Sequence, residues 1–328
     1  MSGRRLPTPR AARDFGTVVR RAYPAVVSAT VGYPSTHSLG RRIGGFVALT
    51  KPRIIELLLV TTVPIMVVAH KGFPDWWLVV ATVIGGTLSA GGANATNMYV
   101  DRDIDAVMKR TQGRPLVTGV VAPNEALVFA VAIEILAFAW LWAFVNLFSA
   151  VLALAAAAFY VFVYTLWLKR TSRSNIVIGG AAGAVPVLIG WTAVTGELSA
   201  AAWMGFAMMF FWTPPHFWAL AVKYRDDYSS VEVPMLPSVA GDDVVGRQIT
   251  IYTVAVVATS ILFGPLAQLG AIYLVSAVVL GALFLGLAVA VWRNPSPKIA
   301  MQLFSYSILY VTLLFAAMVV DVLVTHGA

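Results

Sequence analysis

Asn97, Asp101 and Asp105 stand four residues apart at the end of a long apolar run, in "NATNMYVDRDIDAVMKRT" (94–111). Four residues turn an α-helix by about 400° and advance it by about 6 Å, so the three oxygen-bearing side chains form one slanting stripe. Asn94, three residues before Asn97, joins the stripe. Asp103 points to the other side, toward arginines or water. A solvated helix end explains any one of these acids but explains poorly three in register beside hydrocarbon. A carboxylate costs about 2.5–3.5 kcal/mol at the centre of a membrane helix and less at its end, and like charges along one helix face add repulsion. A hard cation relieves that repulsion. Mg2+ takes one or two carboxylates and completes its shell with water and phosphate oxygens, so the stripe predicts a phosphate-bearing ligand.

The positive charges follow. Lys109, Arg110 and Arg114, in "KRTQGRP", come directly after the stripe. Arg53 opens an earlier apolar run, Lys169 and Arg170 close a later one, and Lys223 and Arg225 close another. Carboxylates, a cation and arginines together can clamp a diphosphate. Taken singly, each base could instead serve topology or lipid headgroups; Lys109, Arg110 and Arg114 are tied to the stripe by sequence. His216 lies in "FWTPPHFWALAVKYRDDY", behind Pro214 and Pro215 and flanked by Trp212, Phe217 and Trp218. Proline inside a membrane helix frees backbone groups that neighbours or a wet cavity must satisfy. The segment therefore either lines a cavity or forms a kinked aromatic packing face. Glu56 and Glu134 read as buried polar residues, His37 and His70 as interfacial ones.

The elements that must hold these residues are membrane helices. The 328-residue chain is 59% hydrophobic and 12% charged, about half the charged fraction of a soluble protein. Apolar segments of about 20 residues, each long enough to cross about 30 Å of hydrocarbon, recur along it. The fold class is all-α and polytopic, with nine spans expected near 54–70, 76–98, 124–145, 147–167, 175–194, 200–221, 247–268, 270–292 and 300–323. Residues 1–50 form a basic N-terminal arm, too polar and too broken by glycine and proline to span, and 51–325 form the transmembrane domain. There is no cysteine, which excludes disulfides, thiolate metal sites and a cysteine nucleophile. The formal charge of +8 is assigned to topology and anionic lipid rather than to nucleic acid. Every one of the 23 Lys and Arg residues except Lys71 falls on one side of this topology. The positive-inside rule makes that side cytoplasmic, with the N-terminus inside and the C-terminus outside. The arginine-rich, acid-poor arm fits a bacterial plasma-membrane protein; a mitochondrial transit peptide, and so the mitochondrial inner membrane, is the alternative. The loops 99–123 and 222–246 both open with charges behind an even-numbered span, "DRDID" and "KYRDDY". They suggest a pseudo-repeat of helix pairs around one site.

Asn97-x3-Asp101-x3-Asp105 at the end of the second span resembles the first acidic motif of the UbiA superfamily of intramembrane prenyltransferases. "LTKPRIIELLL" (49–59), "NMYVDRDIDAVMKRTQGRPLVTG" (97–119), "FFWTPPHFWALAVKYRDDY" (210–228) and "VPMLP" (233–237) are together similar to its heme-farnesylating branch. The resemblance covers residues 45–320 or so. It implies nine helices around a central cavity under cytoplasmic cap loops. It also implies farnesyl diphosphate and heme b as substrates, Mg2+ as cofactor, and heme o as product. Heme a synthase or terminal oxidase assembly would then be the downstream partner. Asn97, Asp101, Asp105, Lys109, Arg110, Asp226 and Asp227 would be catalytic, with metal on Asn97, Asp101, Asp105 and Asp227. Arg53, Arg114, Lys169, Arg170, His216, Trp218, Lys223 and Arg225 would bind substrate, His216 through heme iron or a propionate. Tyr99, Tyr164 and Trp218 are candidates by position to face an allylic cation. One departure stands out: the superfamily's second motif has two acids four apart, whereas Asp226 and Asp227 are adjacent, so either could meet a metal. A prenyltransferase with an aromatic acceptor, a quinone or chlorophyll precursor, is the alternative; it should show the regular second motif and lack "TPPHFWAL". A cation transporter would place its acids at mid-membrane instead of one edge, and a non-catalytic heme carrier would bind heme without turnover.

Overall fold

The computed structural model describes residues 37–327, apart from the side chains of residues 53–59. Most of the basic arm, and the side chains of Arg53 and Glu56, therefore lie outside the described residues. What is described is helical throughout. A short α1 (Leu39–Leu49) precedes α2 (Pro52–His70) and α3 (Trp76–Val100), and a one-turn-and-a-half α4 (Arg102–Val107) follows. Then come α5 (Pro123–Phe144) and α6 (Leu147–Ala158), the latter continuing as a π-helix (Phe159–Leu168). Next are α7 (Asn175–Thr195), α8 (Ala200–Lys223), the short α9 (Arg225–Ser230) and α10 (Leu236–Val239), and finally α11 (Asp242–Leu266), α12 (Ala271–Arg293) and α13 (Pro297–His326).

Local chemistry sets the ends. Asp75 caps α3 by accepting from Trp77 N (2.8 Å) and Leu78 N (3.3 Å). Asn146 caps α6 and Ser199 caps α8 in the same way. Pro52, Pro123 and Pro297 sit in the first turns of α2, α5 and α13, where the missing N–H costs nothing. α1 belongs to the predicted arm but is ordered as a helix too short to span. Leu39, Ile43 and Val47 are exposed along it, and Arg42 pairs with Glu125 of α5.

Among the described residues seven helices are long and apolar enough to cross a membrane: α3, α5, α6 with its π extension, α7, α11, α12 and α13. α2 and α8 stand where the other two expected spans lie, but the expectation of nine is met by seven on these grounds. α2 contributes only Val60–His70 as a described apolar stretch. α8 carries Trp212, Thr213, Pro214, Pro215 and His216 in its middle, which lower its hydropathy although they are buried.

The two ends of the bundle differ. On one face Lys71 donates to Gln268 (2.6 Å), joining the α2–α3 and α11–α12 turns, and buried Asp321 accepts from Gly270 N and Tyr273 N at the start of α12. On the other, charged face Arg225 pairs with Asp242 and Trp292 donates to Asp243. The largest buried cluster joins α2, α7, α8, α11, α12 and α13 through residues such as Ile65, Trp212, Phe263, Tyr273 and Phe315. The candidate site lies away from it, where α3 ends.

Candidate active site

α3 stops at Val100, yet the stripe runs on. Asp101 N donates to Asn97 O and Asp105 N to Asp101 O, both at 2.9 Å, so helical spacing bridges the junction with α4. Asn97, Asp101 and Asp105 are 3, 0 and 2% exposed. Buried acids need partners, and cations from two other segments supply them. Lys169 pairs with Asp101, and Arg114 pairs with Asp105. Arg170 grips Asp103 with two bonds of 2.7 and 2.6 Å and stands 3.6 Å from Asp101 Oδ1. The Asn97 amide joins the parts: Nδ2 donates to Asp101 Oδ2 (2.6 Å) and Thr165 Oγ1 (3.2 Å), while Oδ1 accepts from Lys51 Nζ (2.8 Å).

Lys51 reaches that position from an unusual backbone. Its φ and ψ are 54° and 63°, a left-handed conformation uncommon for a side-chain-bearing residue and sustained only where the surroundings enforce it. Asn94 Nδ2, one turn below Asn97, donates to Thr50 O (3.2 Å) and fixes the turn that carries Lys51. Burial foremost, then the charges of Arg114 and Lys169, push the Lys51 ammonium down to about 7. Burial raises Asp105 above the usual carboxylate range even against Arg114. Asp103 moves the other way: burial alone would raise it, but the Arg170 fork holds it low.

The π-helix aims a fourth set of groups. An α-helix turns about 100° per residue, which would leave Thr165 and Lys169 about 140° and 180° around from Tyr160. A π-helix has roughly 4.4 residues per turn, so Tyr160, Tyr164, Thr165 and Lys169 fall within about 50° of one line. Thr165 Oγ1 donates to Tyr160 O (2.9 Å) and receives the Asn97 amide, and the Tyr160 and Tyr164 rings stack at 5.4 Å. Gly179 of α7 admits the Tyr164 ring, since a methyl group there would overlap it.

The second charged loop closes over the first. Arg110 N donates to Asp227 Oδ2 (3.3 Å), its guanidinium reaches Tyr228 OH (3.4 Å), and it lies over the Tyr224 and Tyr228 rings. Ile104 packs with Ala221, Val233 and Met235, backed by Tyr164 and Tyr228. Of the adjacent acids, Asp227 thus faces the stripe's loop. Asp226 is exposed and, with Lys223 and Arg225, lines a separate cleft of about 250 Å3 between α8, α11 and α12.

Several expected residues do not join the cluster. Lys109 is exposed and makes no ion pair among the described residues. Tyr99 lies on the opposite face of α3, under the Arg102 guanidinium (4.6 Å) and against the cluster around Leu49. Trp218 is buried edge-on to Tyr252 (5.4 Å) in the main core. His216 is buried between α8 and α13. Lys51, Tyr160 and Thr165 join the site without having been singled out from sequence. Lys51 stood inside a quoted block, two residues before the preferred Arg53; Tyr160 depends on the π-helix, whereas Thr165, four before Lys169, shares its face in either helix.

The oxygens suit a hard cation. Asp101 Oδ1 is buried and accepts no hydrogen bond, and it lies on one stripe with Asn97 and Asp105. No group of three or more acids or histidines able to hold a metal occurs among the described residues. Asp227 is thus not grouped with Asp101 and Asp105, and a cation here would complete its shell with water and ligand oxygens.

Comparison with known proteins identifies the family and the fold. A family model described as UbiA prenyltransferase family matches residues 58–318. A protoheme IX farnesyltransferase of Frankia alni is 54% identical over 292 residues, covering 87% of this chain and all of that one. The protoheme IX farnesyltransferase of Streptomyces coelicolor is 50% identical over 304 residues, 91% of this chain and 96% of that one. Among solved structures, a digeranylgeranylglyceryl phosphate synthase superposes with a TM-score of 0.72 at 18% identity, covering 86% of this chain and 98% of that one. A UbiA homolog from Aeropyrum pernix gives 0.66 at 22%, covering 82% and 98%. A UbiA homolog from Archaeoglobus fulgidus bound to DMAPP and Mg2+ gives 0.56 at 17%, covering 84% and 99%. These structures share the fold.

Proposed function

The chain belongs to the UbiA prenyltransferase family, and from that premise we propose that it is a multi-pass membrane enzyme that transfers the farnesyl group of farnesyl diphosphate to a vinyl group of heme b, giving heme o. The observation that carries the donor half of this reading is the buried cluster of Asn97, Asp101 and Asp105 with Lys51, Arg114 and Lys169. The acceptor half follows the relatives that are half identical over most of their length and named for protoheme IX. Bacterial plasma membrane, charged face cytoplasmic, and delivery of heme o to a heme a synthase or terminal oxidase assembly belong to the same reading.

The residues divide the work. Asn97, Asp101 and Asp105 would hold Mg2+, which neutralises diphosphate charge when bound; the UbiA homolog from Archaeoglobus fulgidus, which shares the fold, is bound to DMAPP and Mg2+. Lys51, Arg114 and Lys169 lie where their charges meet the same diphosphate, and Arg110 with Asp227 closes the loop above it. The bond between the allylic carbon and the diphosphate oxygen breaks with its electron pair leaving on oxygen, and these cations stabilise that charge. Tyr160 and Tyr164 present ring faces to the allylic cation. The vinyl π-pair forms the new carbon–carbon bond, and water adds to the resulting heme-side cation with loss of a proton.

Purified protein in nanodiscs with farnesyl diphosphate, heme b and Mg2+ should yield the mass of heme o by liquid chromatography. Chelation with EDTA should stop it and Mg2+ restore it. Absence of that product, with heme b recovered intact, would overturn the assignment.

A further inference from the structure

His216 is built as an oriented ligand. Its Nδ1 lies 2.7 Å from Ser307 Oγ, and Ser307 Oγ lies 2.6 Å from Phe304 O. A hydroxyl has one proton. If Ser307 gave it to His216, its oxygen would face the Phe304 carbonyl at 2.6 Å with no hydrogen between them. Only one arrangement makes both contacts favourable: Nδ1–H donates to Ser307, and Ser307 donates to Phe304 O. The imidazole therefore carries its lone pair on Nε2. Its faces are covered by Trp212 (4.2 Å, 19° between planes) and Phe304 (4.6 Å, 27°), and Phe217 stands against its edge (5.2 Å). The residue is 8% exposed. Among the described residues nothing donates to Nε2.

We propose that His216 Nε2 coordinates the iron of the heme substrate; this rests on the reading that heme b is the acceptor. Metal-bound histidines carry a second ring N–H donated to a carbonyl or carboxylate that fixes tautomer and direction, and the Ser307 relay to Phe304 O supplies that. A propionate would need a donor, which Nε2 is not. A purely packing role needs only a flat ring. The ring sits about 10 Å below the end of α8 at Lys223, inside the apolar layer. Because the Fe–N axis lies in the imidazole plane, the clamp by Trp212 and Phe304 also fixes the tilt of the porphyrin.

The test uses full-length protein in nanodiscs loaded with ferrous heme b and read by resonance Raman for the iron–imidazole stretch. The native protein should show the band, shifted by 15N-histidine labelling. His216→Phe, which keeps a flat ring, should lose it while retaining binding of farnesyl diphosphate with Mg2+. In His216→Ala, added imidazole should restore it. Ser307→Ala should keep the band at lowered frequency and weaken heme binding about tenfold, as loss of an outer-shell partner does. An unchanged band in His216→Phe overturns the proposal. Heme o production by the native protein reports the function separately: the band can vanish as expected while no heme o forms, or persist in His216→Phe while heme o is made.

Discussion

Replacing Lys169 by Met removes one side of a pair whose acid is fully buried and whose lysine is 15% exposed. Breaking a buried pair costs about 3–5 kcal/mol because the remaining charge is stranded. Two groups soften this here. Asn97 Nδ2 still donates at 2.6 Å, and Arg170, 3.6 Å from the free carboxylate oxygen, can close in. A charge-assisted bond contributes about 1.5–3 kcal/mol, so the net loss should be about 2–3 kcal/mol, a fall of roughly 4–8 °C in Tm. Adding Asp101→Asn removes the stranded charge, and replacing both partners by neutral groups of similar size is close to neutral. The double variant should therefore recover to within about 1 kcal/mol of the native protein, a coupling energy of about 2 kcal/mol. Heme o turnover should not recover, remaining about 100-fold or more below native, because Lys169 meets the leaving-group charge and Asp101 would hold the cation that neutralises it. Scanning fluorimetry in detergent and the product assay read the two quantities. Stability losses that add within about 0.5 kcal/mol, or turnover that returns in the double variant, would refute the reasoning.

Lys51→Met should leave folding nearly intact and lower kcat/KM for farnesyl diphosphate by about 10- to 100-fold, one lost charge-assisted bond, measured by initial rates. Asp227→Asn should cut turnover about tenfold by loosening Arg110, while Asp226→Asn, turned to the other cleft, should stay within about twofold; equal effects would mean the two acids are misassigned. Gly179→Ala should destabilise by about 1–3 kcal/mol through overlap with Tyr164, visible as a lowered Tm, and Tyr164→Leu in the same chain should relieve it.

Helix positions and the acidic stripe were legible because they depend on local periodicity: apolar length for the spans, a spacing of four for Asn97, Asp101 and Asp105. That Asp103 turns from the stripe toward arginines or water followed from spacing; that its partner is Arg170, expected to bind substrate, did not. Residues that the fold aims were harder. Lys109, Arg110 and Arg114 looked equivalent along the chain, but the turns at 108–118 send Arg114 to Asp105, Arg110 to Asp227 and Lys109 outward. Arg53 was preferred to Lys51 because it opens the apolar run, and nothing in the sequence marks the left-handed backbone that turns Lys51 to Asn97. Tyr160 lay half a turn from Lys169 on an α-helical reading of an apolar span, and nothing in "FYVFVYTLWL" announces a π-helix; Thr165, four before Lys169, shared its face but carried no charge to single it out. Tyr99 failed for the opposite reason: two residues from Asn97 is half a helical turn, the far side.

The π-helix between Phe159 and Leu168 makes chain length itself a functional variable. Each wide turn carries about one residue more than the α turn it replaces. Deleting one residue between Thr165 and Lys169 and letting ordinary helical bonding resume through the segment would carry Thr165 about 90° and Lys169 about 65° around the axis relative to Tyr160, out of the line they share. The span would stay apolar and long enough to cross, so neither its hydropathy nor its topology would register the change. Single-residue gaps should therefore be tolerated in the loops of such chains and excluded from this one segment. A deletion scan through 159–168, scored for heme o against membrane insertion, would find inserted but inactive protein there.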